Sequence, residues 1–101
     1  MTVTWSPRAI ERVSEIAQWI AETEARPLAA EQWVDNMFAA VARLEPFPES
    51  GRAVPEARHR PDLREVLYGR YRIIYRVEAE RVLVLTVRHG RQHTEAEDLE
   101  T

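Results

Sequence analysis

The spacing of apolar residues changes period once along the chain, close to Pro61, and the change separates a helical front half from a stranded back half. Ile10, Val13, Ile16, Ala17 and Ile20 recur at steps of three and four, while Arg8, Glu11, Arg12, Glu15 and Gln18 fill the opposite side. This spacing predicts an amphipathic helix of about four turns. Ahead of it, Val3-Thr4-Trp5 alternates as a short strand does and runs into Ser6-Pro7. Serine can cap a helix there, and proline fits the first helical position because its missing N–H has no intrahelical partner to lose. After the polar stretch from Glu22 to Arg26, Pro27 starts a second helix with Trp33, Val34, Met37, Phe38, Val41 and Leu44 on a wide apolar stripe. So short a connector predicts an antiparallel pair. Pro46 and Pro48 end the second helix, and a loop is expected to about Pro61.

Beyond Pro61 the period is two. Residues 63–68, 71–77 and 81–89 read as three strands, with Gly69-Arg70 and Glu78-Ala79-Glu80 as tight turns, which makes a meander. On the middle strand Tyr71, Ile73, Tyr75 and Val77 share one face, and Arg72, Ile74 and Arg76 share the other. The first face suits the helix pair. The second carries two guanidiniums around one isoleucine and is expected to stay open to solvent or to a partner. The fold class that follows is α+β: a short N-terminal strand and a two-helix antiparallel hairpin packed on one face of an antiparallel sheet. One domain over residues 1–93 and an acidic tail over 94–101 account for the whole chain. At 101 residues, two domains would each be too small to bury a core.

Charge alters this picture more than composition does. The formal net charge is −3, but residues 1–50 hold four Arg against eight acids, residues 51–93 hold ten Arg against five acids, and residues 94–101 hold four acids and no Arg. A basic segment is thus set between acidic ones, and it suits an anionic partner. Every basic residue is Arg, whose planar fork grips carboxylates and phosphates and never deprotonates near neutrality. Cysteine is absent, which excludes a disulfide scaffold, a thiolate metal site and a cysteine nucleophile. No P-loop, Gly-rich nucleotide turn or zinc-ligand spacing occurs, so no cofactor and no metal is expected. The apolar run at Val82 to Val87 is far short of a membrane span, and the first residues lack a signal-peptide block, so a cytoplasmic protein is expected.

Five short stretches in this order carry a family resemblance: Trp5-Ser6-Pro7, Pro48-Glu49-Ser50-Gly51-Arg52, Leu63-Arg64-Glu65, Arg70-Tyr71-Arg72-Ile73-Ile74-Tyr75-Arg76-Val77, and Val87-Arg88-His89-Gly90-Arg91. Together they resemble the RelE/ParE toxins of bacterial type II toxin-antitoxin modules. The resemblance implies a cytoplasmic toxin bound by a cognate antitoxin in a hetero-oligomer. It also implies one of two actions. The RelE-like branch cleaves messenger RNA on the ribosome, and the ParE-like branch poisons DNA gyrase without hydrolytic chemistry of its own.

Resemblance to the nuclease branch places functional arginines at Arg72, Arg91 and Arg64. His89 and His93 flank Arg91 and could move protons, since imidazole titrates near neutrality, and Glu56 could act as a base. A plainer reading has His89 at a strand end and His93 in a solvated tail. Two departures favour the other branch: Glu65 and Val66 stand where nucleases carry a basic pair, and no tyrosine follows Arg91. An acidic chain also approaches RNA phosphate poorly. The leading expectation is therefore a ParE-like gyrase poison whose partner-binding residues are Arg72, Ile74, Arg76, Arg88 and Arg91. A ribosome-dependent nuclease and a non-toxic binding module of the same fold are the alternatives.

Overall fold

A computed structural model describes residues 1–24, 26–90 and 99. The elements are β1 (Thr2–Trp5), α1 (Pro7–Glu24), α2 (Pro27–Ala42), β2 (Arg52–Ala53), a 3-10 turn (Pro55–Ala57), β3 (Leu63–Tyr68), β4 (Tyr71–Val77) and β5 (Arg81–His89). The expected helix pair and three-strand meander are both present. Within the loop expected to run on to Pro61, β2 and the 3-10 turn form instead.

Ser6 caps α1 as its position predicts. Its Oγ accepts from the Ala9 N–H at 3.1 Å and donates to the Leu85 carbonyl at 3.0 Å, so one hydroxyl both starts the helix and fastens it to β5. Pro27 opens α2 at its first turn. The five strands lie in the order β1-β5-β4-β3-β2. β1 runs parallel to β5, with Val3 beside Val82, and the other pairings are antiparallel. Gly69, at a φ of 56°, turns β3 into β4 in the left-handed region that a side chain resists. The β4–β5 register shifts between Ile74 and Tyr75, leaving Leu85 as the extra residue of a bulge.

Two cores result, one on each face of the sheet. On the helix face Ala9, Val13, Met37, Val41 and Leu44 meet Ile73, Tyr75, Val82, Val84 and Val87. Trp5 packs edge-on against Phe38, with ring centroids 4.6 Å apart. On the other face Val54, Ala57, Leu63, Ile74, Leu83 and Leu85 form a second cluster. The open second face expected from the alternation on β4 is therefore corrected. Residues 52–57 fold over it as a flap, and Ile74 is fully buried. The reason is apolar area: Ile74, Leu63, Leu83 and Leu85 together present too much hydrocarbon to leave wet, at about 2 kcal/mol for each aliphatic side chain removed from water. Among the described residues no helix is long and apolar enough to cross a membrane.

Candidate functional site

The Gly69-Arg70 hairpin, the start of β2 and the end of β5 meet at one tip of the sheet around a cleft of about 570 Å³. Arg52, Arg70, Arg72 and His89 line it, with Leu67 as its apolar wall. Leu67 is 58% exposed although it lies in a strand, because β2 is only two residues long and pairs with β3 no further than Glu65. The Gly90 N–H donates to the Arg70 carbonyl at 2.7 Å and fixes the end of β5 against the start of β4.

Arg72 is the residue on which the sequence reading leaned most, and the structure corrects its surroundings. It is 5% exposed rather than displayed. Its Nε donates to Glu65 at 2.9 Å and a terminal nitrogen to the same carboxylate at 2.6 Å. Its two terminal nitrogens also grip both oxygens of Glu56, at 2.9 and 2.7 Å. Glu65 is buried and accepts a further bond from the Arg52 Nε at 2.7 Å. These carboxylates, Glu56 first, raise the Arg72 guanidinium further above its ordinary range, so it is permanently charged. Two guanidiniums and two carboxylates leave the cluster without net charge. Alternation explains why it forms: Glu65, Arg72 and Arg88 share one sheet face, and Arg72 and Arg88 are direct cross-strand neighbours whose like charges need a counterweight.

The other candidate residues are not drawn into one constellation. Arg64 pairs in register with Tyr75, whose side chain lies in the helix-face core, so it projects opposite to Arg72. There it donates to the carbonyls of Glu49 and Gly51 at 3.2 and 2.9 Å and ties down the chain before β2. Glu56, a base only under the nuclease alternative, has both oxygens engaged by Arg72 and so holds the flap to β4. Arg76 bonds Glu78 at 2.9 Å at the far end of β4. His89 packs edge-on against Tyr71, with ring centroids 5.8 Å apart, and Tyr71 in turn meets Trp33 at 5.2 Å. Arg91 and His93 lie outside the described residues.

Arg52, Leu67 and Arg70 were not singled out from the sequence as site residues. Arg70 could have been, since the residue after a hairpin glycine sits at a sheet tip. Arg52 could not, because its place depends on a flap that no periodicity announced.

Comparison with known proteins adds a family and a fold. The family model for the ParE toxin of the type II toxin-antitoxin system parDE matches residues 3–94. A solved structure of a chromosomal ParDE system from P. aeruginosa superposes with a TM-score of 0.74 at 18% identity, covering 88% of this chain and 95% of that one. The RelBE2 toxin-antitoxin complex from Mycobacterium tuberculosis gives a TM-score of 0.56 at 21% identity, covering 87% of this chain and 95% of that chain. No curated protein sequence matches.

Proposed function

The chain belongs to the ParE toxin family of type II toxin-antitoxin systems, and on that premise we propose that it arrests growth by poisoning DNA gyrase, with a cognate antitoxin holding it in check. The observation that carries this reading is the neutral cluster at the cleft. Cleaving RNA needs cations around the phosphorane-like transition state and a free proton acceptor near the 2'-hydroxyl. Here Arg72 is already held by Glu56 and Glu65, and Arg64 faces the other way. A buried carboxylate beside the scissile phosphate would repel it, at an effective dielectric low enough for the repulsion to matter.

The antitoxin belongs on the same side of the molecule. An amphipathic helix or an added strand bearing acidic side chains would meet the arginines of this surface, including Arg76 and Arg88, by charge-assisted hydrogen bonds. A precedent for such an assembly exists in the ParDE and RelBE2 structures, both described as toxin-antitoxin systems.

One observation supports the nuclease alternative: Arg52, Arg70 and His89 share the cleft with Arg72. Induced expression separates the two. Gyrase poisoning gives DNA-damage signalling and loss of supercoiling by purified gyrase, with messages intact, and co-expression of the protein encoded beside it restores growth. Rapid translation arrest with cut messages and unaffected gyrase would refute the gyrase reading.

A further inference from the structure

The two edges of the sheet are finished differently. At one of them β2 is two residues long and carries Arg52, so an incoming strand meets a short and charged border. At the other, β1 is Thr2-Val3-Thr4-Trp5, an uncharged run of residues that favour strands. Parallel pairing with β5 uses one side of its backbone and leaves the other side facing outward. The outward N–H of Val3 is taken by a side chain, since Glu45 accepts it through Oε2 at 3.2 Å. On the same border the Glu45 carbonyl accepts from the Met1 ammonium, also at 3.2 Å. The Glu45 N–H bonds the Ala42 carbonyl at 3.1 Å, so the turn that ends α2 holds this carboxylate at the edge. Hydrocarbon lies beside it: Trp5 packs on Phe38, and Phe38 and Met1 are 36% and 46% exposed. An outward row of backbone groups next to exposed apolar area is what a further strand needs, and Glu45 stands over it.

We propose that Glu45 is a guard on the β1 edge, and that without its charge two copies of this chain join by antiparallel β1–β1 pairing into one continuous sheet. A second copy is the occupant this border fits. Identical uncharged strands meet across a two-fold axis with the same residues on both sides, and no side chain of β1 opposes a like charge. In the intact chain the same approach sets two Glu45 carboxylates against each other in the space that the incoming strand must fill. Neither the target of the toxin nor its antitoxin enters this association.

Sedimentation velocity on the isolated full-length chain reads the outcome. Wild type should sediment as one chain of 11.8 kDa, and Glu45→Ala should move to twice that mass as concentration rises. Glu45→Lys loses the bond to Val3 but keeps a charge at the edge, and should remain a single chain. Adding Val3→Pro to Glu45→Ala removes the outward N–H without touching the pairing to β5, and should return the protein to a single chain. Circular dichroism checks that each variant keeps the fold. A Glu45→Ala protein that stays a single chain, or a wild type that is already dimeric, would overturn the guard. So would equal association by Glu45→Lys. A dimer that survives Val3→Pro would overturn the β1–β1 contact. Tighter binding of the antitoxin by Glu45→Ala without self-association would give this edge to a partner's strand and overturn the proposal as well.

Discussion

Arg72 on β4 and Glu65 on β3 are bonded across adjacent strands at 2.6 and 2.9 Å on the flap side of the sheet, with the glutamate side chain fully buried. Glu56 closes the same guanidinium from the flap, where 13% of its side chain is exposed. Removing one partner of a buried pair leaves the other charge uncompensated, at about 3–5 kcal/mol. Glu65→Gln should therefore lower the thermal midpoint by more than about 10 °C in a chain of this size. Glu56→Gln, nearer to solvent, should cost less than half as much. Calorimetry of the two variants checks the order, and equal losses would mean that the flap carboxylate bears as much of the network as the core one.

Gly51 is constrained by space. A Cβ there would come within 2.6 Å of the Glu65 carbonyl and 2.5 Å of the Tyr75 hydroxyl. The tyrosine can be trimmed, but the carbonyl is backbone. Gly51→Ala should destabilise by roughly 2 kcal/mol, in the range of overpacking substitutions. Adding Tyr75→Phe should restore only a minor part. Chemical denaturation of both variants decides, and full restoration by Tyr75→Phe would show that the backbone contact is harmless.

Much of this fold was legible in the chain because its determinants are local. The helix periods, the Ser6-Pro7 start and the Gly69-Arg70 turn each act over a few residues, and each forms where the sequence implies. The flap is a different case. Val54 and Ala57 look like ordinary loop residues, and their burial depends on hydrocarbon that the bulge at Leu85 brings to the second face. The misplaced expectation for Arg72 has the same origin. Alternation fixes which face a side chain takes, but a loop some twenty residues earlier determines whether that face is wet. Glu65 entered the sequence reading in the Leu63-Arg64-Glu65 stretch and as a departure from a nuclease pattern, not as a partner of Arg72. Its role as the anchor of Arg72 follows from strand register, which pairs Leu67 with Arg72 and sets Glu65 two residues further along the same face.

Stability and toxicity should separate at the cleft. Arg70 is exposed at the hairpin tip, whereas Arg72 is enclosed. Arg70→Ala should leave the unfolding free energy within about 0.5 kcal/mol of wild type, as surface substitutions do. It should nevertheless weaken growth arrest if the cleft engages the target. Arg72→Ala should lose toxicity together with folded protein, because it strips two carboxylates of their partner. Growth curves set beside soluble yield and circular dichroism read both effects. A fully toxic Arg70→Ala strain would move the target contact away from this tip.

Tyr75 makes the protein sensitive to alkali. Its ring is buried in the helix-face core, and its hydroxyl accepts the Gly51 N–H at 3.0 Å. Burial raises the phenol above its ordinary value of 10.0, with the Gly51 bond and the charge of Arg64 opposing that shift. A raised value in the folded state means that the unfolded chain releases its proton first as pH climbs. Between the two values the unfolded state binds fewer protons than the native one, so stability falls with rising pH. The contribution is complete below pH 10 and is lost as pH rises through the folded-state value. Tyr75→Phe removes this titration and leaves the Gly51 N–H without its partner, at about 1–3 kcal/mol. Wild type should therefore be the more stable protein at pH 8, and its advantage should shrink steadily in denaturant melts taken at pH 9, 10 and 11. A gap that stays constant across that range would show that the phenol ionises as readily in the fold as outside it.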